Sequence, residues 1–258
     1  MVMSRRLLYR SGFWEIARPR HPLTAAHVVI RLSDPSTDFA LPSATDWLFC
    51  HHLARTALAK VLGVEHCAVM FAHQWHPLGA GLGEPVAESS TPTFHLFGRW
   101  DGETTTPGHQ LSLPAHRRVA LPESELEVTD EAIREVLRRD LPDAVLAFAE
   151  GPGAAVEPVL DPALLVRTIP AGERHTVMEP VRGVASVRDF LPADLLAIAA
   201  SLGGLPLAGG VSGFSCLAVE SPAPGRPLRV HALGRSAGED VNPVVELLRS
   251  PEVSLALL

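Results

Sequence analysis

One short motif occurs twice in the sequence, and this repetition constrains the fold more than any other feature. Residues 92–100 read PTFHLFGRW, and residues 228–235 read LRVHALGR. Each copy places a histidine, His95 or His231, in an apolar run typical of a strand, and Gly-Arg begins three residues later. A single strand histidine is usually structural, but two copies with the same spacing indicate an internal repeat.

The elements predicted around the two copies follow the same order. Each part contains an entry strand, a helix, a middle strand and a final strand that carries the histidine. The ranges are 27–32, 43–62, 67–72 and 93–100 in the first part, and 174–179, 192–202, 214–219 and 228–233 in the second. The long loop 74–91 accounts for most of the difference in length, and loop insertions cost little free energy. We therefore predict two diverged copies of one α+β unit.

The residues between the two copies are predicted to connect them. Residues 111–121 read as a strand pair, residues 129–139 read as a short helix that begins at Thr129, and the Gly/Pro-rich stretch 150–158 reads as a boundary. The sequence thus divides into a first unit at 1–100, a connecting insertion at 101–158 and a second unit at 159–258.

Composition and charge exclude several functional classes. The chain of 258 residues has a formal net charge of −7, which argues against a broad surface for nucleic acid or acidic membranes but not against a small anion pocket. No run approaches the roughly 20 apolar residues of a membrane span, and the three cysteines form no Cys-x-x-Cys pair. We expect a cytoplasmic protein without nucleic-acid or membrane partners. The sequence identifies no cofactor and does not define the oligomeric state.

The entry strand resembles that of a known family. Residues 21–30, HPLTAAHVVI, are similar to the entry strand of the histidine-triad (HIT) superfamily, which has the form x-P-L-x-P-G-H-x-L-V-x-P. Residues 179–182, EPVR, resemble the x-P-x-R-H segment that follows that strand. The resemblance extends over residues 7–100 and 159–235. It implies an antiparallel sheet with packing helices, arranged as an intrachain pseudo-dimer like that of the galactose-1-phosphate uridylyltransferases and the diadenosine tetraphosphate phosphorylases.

The chain departs from the family at the position of the nucleophile. Histidines of the family alternate along the final strand, so that they share one face, and the middle one becomes transiently nucleotidylated. The matching residue is Thr93 in the first unit and Arg229 in the second, and only the last histidine, His95 or His231, is retained. A threonine hydroxyl needs a nearby base to attack phosphorus, and a guanidinium is not a nucleophile. The departure predicts that no nucleotidyl-histidine forms.

The candidate site residues lie on or near the final strands. We predict that His95, Thr93 and His73 are catalytic, that the pocket lies near strands 67–73 and 93–99 of the first unit, and that loop 74–91 acts as its lid. The predicted ligand-binding residues are Gln74, His76, Arg99, Arg229, His231 and Arg235. An acid–base histidine here is expected to titrate between about pH 5 and 8. No metal site is predicted.

Three functions remain open from the sequence. The retained histidines favour a hydrolase or transferase that binds a nucleotide or another phosphorylated small molecule and does not use a histidine nucleophile. The absence of the middle histidine from both units favours a catalytically inactive binding or regulatory protein. A biosynthetic enzyme recruited to non-nucleotide chemistry, with His95 as general acid–base, is the third.

Overall fold

Nine strands form one antiparallel sheet in the part of the chain that the computed structural model describes. That part comprises residues 6–75, 81–86, 91–154, 162–207, 209–220 and 226–249, with positions 253 and 257. The strands are β1 (Leu7–Arg10), β2 (Trp14–Ala17), β3 (His27–Leu32), β4 (His66–His73), β5 (Thr93–Arg99), β6 (Val166–Gly172), β7 (His175–Pro180), β8 (Val211–Val219) and β9 (Arg229–Ser236). The predicted α+β class with an antiparallel sheet is confirmed.

The strand order is β1-β2-β3-β5-β4-β8-β9-β7-β6. The middle strands β4 and β8 pair with each other, with Met70 opposite Leu217. Outward from this junction, the strands β4, β5, β3 and β2 follow on one side, and β8, β9, β7 and β6 follow on the other. On both sides the spatial order is therefore the same: the middle strand, the final strand, the entry strand and then the strand that precedes the entry strand in the chain.

The helices are α1 (Leu41–Leu62), α2 (Pro107–Leu111), α3 (Glu123–Glu150), α4 (Pro162–Leu165), α5 (Pro192–Gly203) and α6 (Val244–Leu247). Helix α1 begins two residues before the predicted start at Ser43, whose hydroxyl accepts a hydrogen bond from the Ala40 N–H at 2.9 Å. Gly63 ends α1 in the left-handed conformation, with φ 72°. None of the described helices combines the length and the apolar character that crossing a membrane requires.

The connecting region differs from the prediction. The expected strand pair at 111–121 is wrong, since α2 ends at Leu111, a 3₁₀ turn spans Ala115–Arg117, and none of these residues is in a strand. Thr106 caps α2 by accepting the His109 N–H at 3.2 Å, and Pro107 is favourable at the first helical position. Helix α3 is longer than the predicted 129–139 because the Thr129 hydroxyl does not cap it. The Thr129 hydroxyl donates instead to the carbonyl of Glu125, one turn earlier in the same helix, at 2.9 Å.

The sheet has two covered faces. Helices α1, α3 and α5 pack on one side, which we call the helix face, and its apolar core includes Trp47, Ile133 and Ile198. The opposite side, which we call the histidine face, is covered by a smaller apolar cluster that includes Leu111 and Val244. Direct cross-strand partners share a face, so the pairing of Met70 with His95 and of Leu217 with His231 places both motif histidines on the histidine face.

Candidate functional site

A pair of histidines joins the entry and final strands of the first unit. Nε2 of His27, on β3, lies 3.0 Å from Nδ1 of His95, on β5. The backbone N–H of Leu23 donates to Nδ1 of His27 at 3.0 Å. His27 is fully buried, whereas His95 is partly exposed. Three residues therefore form one hydrogen-bonded chain that ends at the His95 ring.

This chain fixes the protonation state of both rings. Because the Leu23 N–H occupies Nδ1 of His27, that nitrogen is an acceptor and the proton of the neutral ring is on Nε2. His27 then donates from Nε2 to Nδ1 of His95, so the proton of His95 is also on Nε2. No described residue is a hydrogen-bond partner of this last nitrogen. His95 thus offers one N–H donor to a ligand.

Both rings are neutral at physiological pH. Burial lowers the pKa of His95 to about 4 and lowers that of His27 well below its ordinary value. For His27, the neighbouring His95, Arg18 and Arg118 lower the pKa further. A proton on Nδ1 of His95 would also face the N–H of His27 across 3.0 Å. The pKa of His95 is therefore below the window of pH 5 to 8 that the sequence predicts for an acid–base group.

The second unit repeats the pair with a different environment. Nε2 of His175, on β7, lies 3.0 Å from Nδ1 of His231, on β9. Burial lowers the pKa of His231 to about 4, with smaller contributions from His175 and Arg229. Nε2 of His231 is buried and has no hydrogen-bond partner among the residues described. Of the two motif histidines, His95 is the more accessible, since His95 is partly exposed and His231 is buried.

The site predicted from the sequence does not include His27 or His175, the first residues of β3 and β7. The signal was present, since each begins the strand that lies beside a motif histidine in its unit. Their shared position at the start of the entry strand would have identified them as partners of His95 and His231.

The glycine of the repeated motif has the same structural role in both copies. A Cβ on Gly98 would lie 2.7 Å from the Val64 side chain and 3.0 Å from Cβ of Ala26. A Cβ on Gly234 would lie 2.9 Å from Val211 and 3.3 Å from Cβ of Arg174. Such approaches exclude a larger residue unless its neighbours move. The glycine allows the final strand to lie close to the residue before the entry-strand histidine.

The arginine of the motif forms an internal ion pair in both copies. Arg99 pairs with Glu103, and Arg235 pairs with Glu239 at 3.1 Å, in each case four residues later. Burial raises the pKa of Glu103, although Arg99 opposes this effect. Both arginines are buried, so their charges are compensated within the fold. Their predicted part in ligand binding stays a prediction.

Arg235 also joins several elements around the end of β4. It pairs with Glu84, donates to the Ser215 hydroxyl at 2.8 Å, and has its guanidinium 4.6 Å from the centre of the Trp75 ring. Only 1% of its side chain is exposed. The contacts satisfy the guanidinium and connect the loop after β4 to β8 and β9.

The positions that match the family's nucleophile also have internal partners. The Thr93 hydroxyl donates to the Thr91 carbonyl at 2.9 Å, although Thr93 lies on the same face as His95. Arg229 donates from Nε to Glu179 at 2.6 Å. The structure brings Thr93 and His95 to one strand face, and the side chains of Thr93 and Arg229 are both bonded within the fold.

His73 and Gln74 are separated from His95. His73 lies opposite Phe214 on the helix face, and both His73 and Gln74 line a cavity of about 340 Å³ there. Burial lowers the pKa of His73. His76 lies outside the described residues. The structure therefore does not combine His73 with His95 and Thr93 in one site.

A cleft with several charged lining residues lies next to Leu23, the residue that binds His27. It has a volume of about 510 Å³ and lies between residues 18–23, residues 115–121 and the first turns of α3. Leu23, whose N–H binds His27, lines this cleft. The basic residues of its lining are Arg6, Arg18, Arg20, His21 and Arg118, and the acidic ones are Glu123, Glu127 and Asp130.

Two of these arginines are fixed by the fold. Arg18 is buried and pairs with Asp130 at 2.7 Å, and it also donates to the His27 carbonyl. Arg118 donates to backbone carbonyls, including that of Glu84 at 2.7 Å, and burial lowers its pKa. Among the residues described, no group of three or more histidine, cysteine or acidic side chains has an arrangement that would hold a metal ion.

Comparison with known proteins gives a similarity in structure but none in sequence. No family model matches the chain, and no curated protein sequence matches it. A solved structure of a GalT-like protein from Arabidopsis thaliana is similar, with 10% sequence identity, coverage of 95% of this chain and 88% of that chain, and a TM-score of 0.48.

Proposed function

We propose that the chain is a tandem HIT-like protein that binds a nucleotide or another phosphorylated small molecule at its first unit. In this proposal, neutral His95 is a hydrogen-bond donor and no nucleotidyl-histidine forms. The observation that carries it is the chain from the Leu23 N–H through His27 to His95, which leaves the Nε2–H of His95 as a fixed donor. A fixed donor of this kind suits a phosphoryl oxygen.

The tandem arrangement is supported by contacts that recur in both halves. Each half has one entry-strand histidine bonded to one final-strand histidine, one close-packed motif glycine and one motif arginine paired four residues later. The strand order is also the same outward from the β4–β8 junction. We therefore interpret the fold as an intrachain pseudo-dimer, with units at 1–100 and 159–258 joined by 101–158.

The charge of the ligand follows from the cleft beside His27. Arg20, Arg6 and His21 are in its lining, and Leu23 connects the cleft to the histidine pair. Arginine is well suited to bind phosphate through two parallel hydrogen bonds. The acidic residues of the lining lie toward α3, where Asp130 is already paired with Arg18. We place the phosphorylated ligand between Arg20 and the histidine pair.

Two chemical outcomes fit this site. A divergent hydrolase or transferase would use the Nε2–H of His95 to stabilise negative charge that develops on a phosphoryl oxygen, while an acceptor molecule supplies the nucleophile. The preorganised tautomer favours this outcome. A catalytically inactive binding protein is favoured by Thr93, whose hydroxyl donates to the Thr91 carbonyl.

Calorimetric titration with a panel of phosphorylated compounds tests the proposal. The panel contains AMP, UMP, UDP-glucose and diadenosine tetraphosphate, with adenosine and uridine as controls that lack phosphate. We expect at least one phosphorylated compound to bind and its nucleoside to bind far more weakly. Intact-mass spectra of the same mixtures should contain no acid-labile adduct. Absence of binding across the panel, or a phosphoramidate on histidine, would contradict the proposal.

A matched pair of arginine variants locates the ligand. Arg20 lines the cleft, whereas Arg117 is exposed and close in sequence to Arg118 but does not line it. We expect Arg20→Ala to weaken binding about tenfold or more, in the range for a charge-assisted hydrogen bond. Arg117→Ala should leave the affinity unchanged. Equal effects of the two variants would place the ligand elsewhere.

A further inference from the structure

Residues 81–86 belong to the loop between β4 and β5, and they are fixed to the segment that follows β9. The Leu82 N–H donates to the Asp240 carbonyl at 3.2 Å, and the Leu82 carbonyl accepts the Asn242 N–H at 2.8 Å. A Cβ on Gly81 would lie 2.5 Å from the Asp240 carbonyl oxygen, so the two backbones are in close contact. A loop of the first half of the chain is therefore bonded to the second half.

One buried carboxylate of this segment, that of Glu84, lies near two arginines. Glu84 is 3% exposed and forms an ion pair with Arg235, the motif arginine of β9. Burial lowers the pKa of Arg118, and the negative charge of Glu84 opposes this effect. Because a buried charge is costly unless an opposite charge compensates it, Glu84 stabilises two arginines that come from different parts of the chain.

Arg118 connects the same segment to the cleft proposed to bind the phosphorylated ligand. It lines the cleft and donates from Nη1 to the Glu84 carbonyl at 2.7 Å. Its Nε donates to the carbonyls of Gln110 at 3.0 Å and Leu113 at 3.1 Å. Val86, at the end of the segment, also lines the cleft. The position of Glu84 therefore affects one wall of the cleft through Arg118 and through Val86.

The charge of Arg118 also acts on the first histidine pair. Burial lowers the pKa of His27, and the charges of His95, Arg18 and Arg118 lower it further. A displacement of Arg118 would therefore change the electrostatic environment of His27, whose Nε2 donates to His95. The segment that contains Glu84 is thus coupled both to the cleft and to the histidine pair.

The ion pair between Arg235 and Glu84 is an addition to the contacts that the two halves share. Arg99 pairs with Glu103 and Arg235 pairs with Glu239, in each case four residues later. The second partner of Arg235, Glu84, has no counterpart at Arg99 among the ion pairs of the described residues. The added pair joins the two halves at the point where the first half forms its cleft.

We propose that Glu84 and Arg235 are positioning residues for this cleft, so that the second unit holds in place one wall of the ligand site of the first. Glu84 acts through Arg118 and Val86, and Arg235 acts through Glu84. The effect on ligand binding rests on the proposed function, whereas the coupling from Arg235 through Glu84 to Arg118 is independent of any ligand.

The Nε–H signal of Arg118 in ¹H–¹⁵N spectra, identified by its loss in Arg118→Lys, tests the coupling without a ligand. We expect Glu84→Gln and Arg235→Gln both to shift this signal. Glu239, the other carboxylate paired with Arg235, provides the matched control, and Glu239→Gln should leave the signal in place. An unmoved signal in Arg235→Gln, or an equal shift in Glu239→Gln, would overturn the coupling.

Calorimetry with the phosphorylated compound that binds the wild type tests the effect on the site. We expect Glu84→Gln to weaken binding about tenfold, Glu84→Asp, which keeps the charge, to recover part of the affinity, and Glu239→Gln to preserve it. The direction of the change is informative, because removal of a negative charge without loss of position would strengthen the binding of an anion. Unchanged or increased affinity in Glu84→Gln would overturn the positioning role.

Gly81→Ala provides a variant that changes no charge. Its Cβ would overlap the Asp240 carbonyl oxygen and displace residues 81–86, so it should shift the Arg118 signal and weaken binding even if the Glu84 and Arg235 variants fail to fold. Retention of both the signal and the affinity in Gly81→Ala would overturn the proposal. Absence of binding by the wild type would overturn the proposed function, whereas unchanged affinity in the variants of a wild type that binds would overturn the positioning role alone.

Discussion

Nε2 of His27 donates a hydrogen bond to Nδ1 of His95 across 3.0 Å. The direction of this bond follows from the Leu23 N–H, which occupies the other nitrogen of His27. The same two atoms of His175 and His231 are also 3.0 Å apart. Such a histidine pair thus occurs once in each half of the chain, and the motif histidine is partly exposed in the first half and buried in the second.

The tautomers of the first pair can be measured directly. We expect long-range ¹H–¹⁵N spectra at pH 7 to show His27 and His95 neutral, each with its proton on Nε2, because the Leu23 N–H fixes the first ring and the first ring fixes the second. Replacing His27 by phenylalanine should remove the preference of His95 for this tautomer. A wild-type His95 with its proton on Nδ1 would contradict the deduced chain.

The two motif histidines are expected to differ in their effect on ligand binding. His95→Ala should abolish binding of the phosphorylated ligand, because it removes the open Nε2–H donor. His231→Ala should leave the affinity nearly unchanged but lower the free energy of unfolding by about 2 kcal/mol, within the usual range for a buried residue. Calorimetry and urea unfolding measure the two effects. Loss of binding in His231→Ala, with binding retained in His95→Ala, would place the site in the second unit.

Stability is expected to fall as the pH decreases from 6.5 toward 4. His95 and His231 have a folded-state pKa of about 4, whereas an unfolded histidine has a pKa of about 6.5. Between these values the unfolded chain binds more protons, so acid favours unfolding, by up to about 1.4 kcal/mol per pH unit for each such histidine. Below pH 4 these two groups contribute no further change.

Urea unfolding at pH 7, 6, 5 and 4 measures this dependence. The double variant His95→Phe, His231→Phe should show a shallower decrease than the wild type, because two of the titrating groups are removed. A free energy of unfolding that increases from pH 6.5 toward pH 4 would contradict this prediction.

The motif glycines are expected to tolerate no side chain. Gly98→Ala and Gly234→Ala should each destabilise the protein by about 1–3 kcal/mol, because the new Cβ would overlap Val64 or Val211. A Cβ added to Gly203, at the end of α5, would meet no neighbouring side chain within 4 Å, so Gly203→Ala is the matched control and should change stability little. Thermal unfolding of the three variants makes the comparison. A control variant as unstable as the motif variants would show that crowding is not the cause.

The fold was largely predictable from local patterns in the sequence. An apolar run rich in β-branched residues predicted β3, and a second apolar run predicted β4. The apolar spacing on residues 43–62 predicted α1, and the repeated His-x-x-Gly-Arg predicted that β5 and β9 would match. These signals depend on residues close in the chain, which is why they identify elements and their order. The connecting region lacked such a pattern, and there the strand prediction at 111–121 was wrong.

The grouping of the site residues was decided by the tertiary structure. The register of β4 and β5 places Phe71 opposite Phe94 and Met70 opposite His95, so His73 points to the other face from His95. A shift of the register by one residue would reverse this relationship, and the sequence of either strand alone does not specify it. The histidine that His95 contacts, His27, lies 68 positions earlier in the chain and meets it only through the β3–β5 pairing. The sequence by itself determined the strands and the repeated histidines, whereas strand register and long-range pairing determined which side chains form a site.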